Sequence, residues 1–146
     1  MRTLKFLAIV FMALALVPGG AHFFSLPNKI YLSESNYFIV QNIYRGWALF
    51  GVVLFGALFA NLALAWAMRG QRAFAFVLIC VGCLVANLVI FFAFTFPANQ
   101  VTNNWTEVPA DWQQLRWQWE VSHAVNALIA FAGFCSLAIS MVVEEK

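Results

Sequence analysis

Charged residues are scarce in this sequence. Eight lysines and arginines and six aspartates and glutamates make up 10% of the 146 residues, and hydrophobic residues make up 64%. A soluble domain carries roughly 25% charged and about 45–50% apolar residues. The composition therefore excludes an ordinary soluble domain, and a net charge of +2 is too small to indicate nucleic-acid binding. The length leaves room for one domain.

Cysteine is also rare, and the three residues Cys80, Cys83 and Cys135 all lie in apolar runs. This placement excludes the disulfide framework of a small secreted protein. Cys80 and Cys83 form a C-x-x-C pair, which is typical of thiol redox proteins. Here the pair would lie near the bilayer centre within a continuous helix, where a thiolate is poorly solvated and unreactive. We therefore favour a packing role for these thiols.

The sequence contains no glycine-rich phosphate loop, haem-ligand pair or serine triad, so we predict no cofactor. A metal centre is the alternative. Glu120 and His123 have E-x-x-H spacing, and His22 would add a second imidazole. Two histidines and a carboxylate are the minimum set for non-haem iron, whereas di-iron bundles need two such pairs.

Four long apolar runs predict an all-α integral membrane four-helix bundle, built as a single domain over residues 1–146. We expect its spans, with their extensions beyond the bilayer, at about 4–26, 37–68, 73–104 and 111–143. Pro27 is expected to end the first helix. That helix could instead be a secretory signal cleaved after Ala21, but it is long enough to span and we favour its retention.

Basic residues set the expected orientation. Arg2, Lys5, Arg69 and Arg72 flank one side of the bundle, which predicts both termini in the cytoplasm of a bacterium and a polar, aromatic cap outside its inner membrane. The bilayer is the expected partner. Small residues spaced four apart, such as Gly56 with Ala60 and Gly82 with Ala86, permit close helix contacts within the chain, with a partner protein or with a second copy.

The most polar stretch runs from Phe94 to Asn126 and holds four of the six tryptophans. Tryptophan and tyrosine also enrich at membrane interfaces, so part of this signal indicates an aromatic belt. Polar residues from all four helices nevertheless share similar predicted depths near the cap. They are His22, Gln41, Asn42, Tyr44, Arg45, Asn99, Asn103, Trp119, Glu120, His123 and Asn126.

Polar groups at this depth are costly unless they are paired or face a wet cavity. We therefore predict a pocket at the outer mouth of the bundle that binds a small apolar or aromatic ligand. The alternative for His22 is an interfacial histidine solvated by lipid headgroups. Two non-catalytic alternatives stay open for the whole protein: an accessory or scaffold subunit of a larger membrane complex, and a quinone- or lipid-binding protein.

Two segments carry a family resemblance. The sequences PANQVTNNW (97–105) and LRWQWEVSH (115–123), together with the four-span layout, resemble the anthrone-oxygenase-like family of small four-helix membrane proteins. Where many members carry an arginine soon after the fourth-helix tryptophan, this chain has Asn126.

The resemblance implies an oxygenase reaction without a cofactor. A base removes an acidic C–H proton from a polycyclic phenolic substrate, and the resulting carbanion reacts with O₂. His123 is the expected base, because an imidazole titrates near neutral pH. Arg45, Asn99 and Asn103 are expected to stabilise the developing oxyanion. Tyr44 and Trp119 are expected to stack on the substrate rings.

Overall fold

The computed structural model describes residues 1–143, and it is all-α, with no strand in that range. It contains six α-helices, labelled here in chain order. They are α1 (Arg2–Lys29), α2 (Glu34–Gln41), α3 (Phe50–Ala67), α4 (Phe74–Ile90), α5 (Phe96–Val101) and α6 (Trp112–Val142).

Four helical stretches are long and apolar enough to cross a membrane: Arg2–Lys29, Trp47–Ala67, Phe74–Val101 and Trp112–Val142. The long helices pack in the cyclic order α1, α3, α4 and α6, so each contacts two neighbours. The protein is therefore an integral membrane four-helix bundle. The end that carries α2, α5 and the loop before α6 is called the cap end below.

The expectation that Pro27 ends the first helix is wrong. Pro27 lies inside α1, which continues to Lys29, and the N–H of Ile30 still donates to Leu26 O at 3.0 Å. A proline this close to a helix end removes only one backbone hydrogen bond. The extra turn brings Lys29 to the cap end.

The second and third spans are interrupted where continuous helices were expected. The region 37–68 begins with α2 and two 3₁₀ turns, Asn42–Tyr44 and Trp47–Leu49, which are separated by Gly46 in the left-handed region at φ 85°. Glycine adopts this conformation without steric cost. In the third span, a π-helical turn at Phe91–Thr95 separates α4 from α5. Such turns occur frequently at functional sites.

The bundle has two cores of different chemistry. The core away from the cap end is aliphatic and includes Met12, Leu64 and Leu137. The core at the cap end is aromatic, and it consists of Tyr37, Ala98, Trp105, Trp112, Leu115 and Trp119. The change from aliphatic to aromatic packing marks the end of the bundle where polar groups gather.

Glycines allow close contacts between the long helices. A Cβ at Gly56 would lie 2.7 Å from the ring of Phe11, and one at Gly133 would lie 2.9 Å from Cys83 Cβ. A Cβ at Gly82, in contrast, would have no neighbour within 4 Å. Gly56 and Gly133 thus allow helices of this chain to pack closely against each other, while Gly82 lies away from the helix contacts.

Candidate functional site

Two histidines stack at the cap end, between α1 and α6. The ring centroids of His22 and His123 are 4.0 Å apart, and the ring planes differ by 22°. His22 is buried and His123 is half-buried. Two imidazolium rings at this distance would repel each other, so at least one ring is expected to be neutral.

Aromatic rings enclose the histidine stack. The ring of Tyr44 lies 4.3 Å from His22, centroid to centroid, and the ring of Trp47 lies 5.6 Å from it. Trp119 contacts both imidazoles edge-on, at 5.0 Å from His22 and 4.3 Å from His123. Tyr44 is fixed in turn by a contact of its hydroxyl with Ser25 Oγ at 3.2 Å.

A buried ion pair lies beside the stack. Lys29 Nζ is 2.9 Å from Glu120 Oε1, and the two side chains are 4% and 0% exposed. The Tyr37 hydroxyl donates to the same carboxylate oxygen at 3.0 Å, and Gln41 Nε2 donates to the Tyr37 hydroxyl. A buried charge pair is stable only when further hydrogen bonds support it. Tyr37 provides that support here.

The ion pair and the stack share the same two rings. Lys29 Nζ lies 4.5 Å from the centroid of Tyr44 and 5.1 Å from that of Trp119. Cation–π contacts of this kind strengthen when water is excluded. The residues form one assembly, called the polar cluster below. It comprises His22, Lys29, Tyr37, Gln41, Tyr44, Trp119, Glu120 and His123.

Apart from Lys29 Nζ, which forms the ion pair with Glu120, three buried atoms of the polar cluster have no hydrogen-bond partner: His22 Nδ1, Gln41 Oε1 and Glu120 Oε2. Buried polar atoms in folded proteins are nearly always paired with protein or with ordered water. The three atoms can accept hydrogen bonds, so a molecule that carries hydroxyl or N–H groups would satisfy them.

Tyr37 belongs to α2, which is outside the spans. Burial, together with the neighbouring Glu120 carboxylate, raises the pKa of the Tyr37 phenol well above its ordinary value. Tyr37 therefore remains a protonated donor to Glu120 throughout the physiological pH range.

Asn99 and Arg116 hold the surrounding aromatic residues in place. Asn99 Oδ1 accepts hydrogen bonds from the indoles of Trp119 at 2.8 Å and Trp105 at 3.2 Å. Arg116 donates to Leu32 O at 2.8 Å, and its guanidinium lies 4.7 Å from the Trp112 centroid. Asn99 thus positions an indole of the polar cluster and does not point a free amide at it.

Of the residues expected at the site, Arg45 and Asn103 lie on the exposed surface, outside the polar cluster. Arg45 is exposed and donates to Asn42 Oδ1, because it follows the 3₁₀ turn on its outer side. Asn103 is also exposed, since α5 ends at Val101 and the chain turns there through left-handed residues. Its amide donates to Glu107 at 3.1 Å. The structure gives neither residue a contact with the histidines.

Asn126 lies on α6 one turn from His123, farther from the cap end. Its amide donates to Asn87 O at 3.2 Å, and its Oδ1 is buried without a partner. Asn87 in turn donates to Cys83 O within α4. Asn126 therefore extends the polar groups of α6 towards the bundle interior and links α6 to α4.

The metal alternative lacks the geometry it needs. Within residues 1–143, no three histidine, cysteine or carboxylate side chains come together as a metal site. Glu120 faces Lys29 and Tyr37, while His22 and His123 face each other ring to ring. Glu120 and His123 are therefore close in sequence, but their side chains contact different partners.

Sequence analysis missed Lys29 and gave Tyr37 no role. The expected end of α1 at Pro27 left Lys29 outside the helix. With α1 continuous, His22 and Lys29 are seven residues apart and share one helix face. Tyr37 and Gln41 share a face of α2 for the same reason. The helical spacing of these residues was the signal in the sequence. For Lys29 it becomes visible only when the helix is continued past Pro27.

Two apolar clefts lie on the outer faces of the bundle. One, of about 450 Å³, is lined by residues of the π-helical turn and α6, including Phe94, Val121 and Ser122. The other, of about 350 Å³, lies between α1 and α6 and includes Phe23 and Ala127. Neither cleft is lined by the histidines or by Glu120.

Comparisons with known protein families, with curated proteins and with solved structures gave no match at a significant level.

Proposed function

We propose that this membrane protein binds a small phenolic molecule at the polar cluster and removes a proton from it with the stacked histidine pair. The observation that carries the proposal is the His22–His123 stack, in contact with aromatic rings that also hold a buried, hydrogen-bonded ion pair. A positioned base can remove a proton, and a fixed cation beside it can stabilise the anion that forms.

Each group has a chemical role in this proposal. His123 takes the proton, and His22 stacks against the resulting imidazolium. Lys29 replaces Arg45 and Asn103 as the group that favours the negative charge on the substrate oxygen. The unpartnered Glu120 Oε2 and Gln41 Oε1 accept hydrogen bonds from substrate hydroxyls.

The reaction that follows is the cofactor-independent oxygenation that the resemblance implies. A CH₂ group between two aromatic rings loses a proton, and its carbanion transfers electrons to O₂. One oxygen atom becomes the carbonyl oxygen of the product, and the other leaves as water together with both hydrogens of the CH₂ group.

The proposed setting is a bacterial inner membrane with the cap end outside. Its basis is the group of basic residues at the opposite end, at Arg2, Arg69 and Arg72, which would face the cytoplasm. Four crossings then leave both termini in the cytoplasm.

Oxygen consumption by the protein in lipid nanodiscs, with an anthracenone as substrate, tests the proposal. We expect the parent protein to form the anthraquinone, and His123→Ala to lose about 10²–10⁴-fold in rate, as is typical when a general base is removed. Trp117→Phe is the control, because Trp117 lies on the same helix but is exposed. Equal rates in the parent and His123→Ala would reject the assignment of the base.

A quinone or lipid binder without turnover is the second candidate, favoured by the two apolar clefts on the lipid side. Mass spectrometry of molecules that co-purify with the protein separates the two functions. A retained quinone with no oxygen consumption supports the second candidate. Stable co-purification with another membrane protein would instead support an accessory subunit.

A further inference from the structure

The segment between the first two spans exposes large apolar side chains. Ile39 is 68% exposed, Ile43 is 65% exposed and Leu49 is 76% exposed. These three residues are called the outer apolar edge below. They belong to α2 and the 3₁₀ turns, and α2 with the first turn lies outside the four spans. Exposing these apolar side chains to water would be energetically unfavourable.

The helix α2 has two distinct sides. Tyr37 and Gln41 are buried against the polar cluster and are spaced four residues apart. Ile39 is offset by two residues from each of them, which places it on the opposite side of α2, and Ile43 is exposed in the 3₁₀ turn that follows. One side of this short segment therefore closes over Glu120, and the other is apolar and uncovered.

The outer apolar edge is continuous with surface that faces lipid. Leu49 lies within the second span, Trp47–Ala67, and the exposed residues Val52 and Phe59 follow on α3. Polar residues of the same segment, Glu34 and Arg45, are exposed at its two ends. An apolar edge between charged ends is typical of a segment that lies flat in a membrane interface.

We propose that residues 34–49 lie in the membrane interface, with the outer apolar edge inserted into the lipid leaflet. The occupant of this surface is lipid, because the edge continues the lipid-facing side of α3. The inference does not depend on the proposed ligand. Its consequence for the site is direct: Tyr37 cannot move away from Glu120 without displacing Ile39 and Ile43 from lipid.

Spin labels test this placement in the full chain. Ile39→Cys, Ile43→Cys and the control Glu34→Cys are labelled with a nitroxide in nanodiscs, after Cys80, Cys83 and Cys135 are replaced by alanine. Collision rates are measured with oxygen, which concentrates in lipid, and with a nickel chelate, which stays in water. We expect a severalfold higher oxygen-to-nickel ratio at positions 39 and 43 than at the exposed position 34, which lies on the other side of α2.

Two results would overturn the proposal. Nickel collisions at positions 39 and 43 as frequent as at position 34 would place the edge in water. Exclusion of both probes would place it against protein, and spin–spin broadening would identify a second copy. If the alanine background does not fold, a charged maleimide is applied in nanodiscs with the native cysteines intact. Faster labelling at position 34 than at 39 or 43 is then expected, and equal labelling overturns the proposal.

Discussion

Lys29 Nζ and Glu120 Oε1 lie 2.9 Å apart at the cap end, with both side chains almost completely buried. Removing one partner leaves the other charge uncompensated, which costs about 3–5 kcal/mol for a buried pair. We expect Glu120→Gln and Lys29→Met each to destabilise the folded protein by this amount, measured by unfolding in nanodiscs.

The double variant Lys29→Met with Glu120→Gln should recover much of that loss, since neither charge is then left alone. The exposed Glu34 supplies the control, Glu34→Gln, which should leave stability unchanged. Additive losses in the double variant would show that the two residues do not interact.

The Tyr37 hydroxyl joins Glu120 to Gln41, so its removal leaves the Gln41 amide without this partner and Glu120 with Lys29 alone. We expect Tyr37→Phe to lower the free energy of unfolding by about 1–3 kcal/mol, the usual cost of an unsatisfied buried group. Tyr31, which is 89% exposed, provides the matched control, Tyr31→Phe. A similar small change in both variants would mean that the hydrogen bond contributes little.

Stability should also fall at alkaline pH because of Tyr37. Its pKa in the folded protein is raised, so above the unfolded pKa of about 10 the unfolded chain binds fewer protons than the folded one. The free energy of unfolding therefore decreases as pH rises, by up to about 1.4 kcal/mol per pH unit. Unfolding measured from pH 8 to 11 should show a steeper decrease in the parent than in Tyr37→Phe, and parallel curves would contradict the assignment.

Gly133 permits the close packing of α6 on α4. A methyl group there would meet Cys83 Cβ at 2.9 Å, which has little freedom to move. We expect Gly133→Ala to destabilise the protein by about 1–3 kcal/mol through overpacking. Gly82→Ala is the control, since a Cβ at Gly82 meets nothing within 4 Å. If both substitutions are tolerated equally, the two helices pack less closely than the structure shows.

Composition and periodicity were enough to predict the all-α membrane bundle, because long apolar runs in lipid can form little else. They did not predict its interruptions. The left-handed Gly46 and the π-helical turn at Phe91–Thr95 depend on packing between helices, which a hydropathy pattern does not contain. The expectation that Pro27 ends the first helix was wrong for a related reason. A proline close to the end of a helix disrupts few backbone hydrogen bonds, so the helix can continue past it.

At the candidate site, the sequence placed His22 and His123 at the same depth, and the structure brings their rings together. It did not pair Lys29 with Glu120, because the two lie far apart in the chain and the first helix was expected to end at Pro27. The resemblance implied that Arg45 and Asn103 would stabilise the oxyanion, but each follows a point where regular helix ends. Residues beyond a helix end do not keep its periodicity.

The ionisation state of a bound phenol tests the central claim most directly. The probe is a polycyclic phenol that is neutral in solution at pH 7 and absorbs at a longer wavelength once ionised, and it is titrated into the protein in nanodiscs. We predict that the parent protein and Trp117→Phe bind it as the phenolate, and that His123→Ala binds only the neutral form. A neutral spectrum with the parent protein, or the same phenolate spectrum with His123→Ala, would contradict the account.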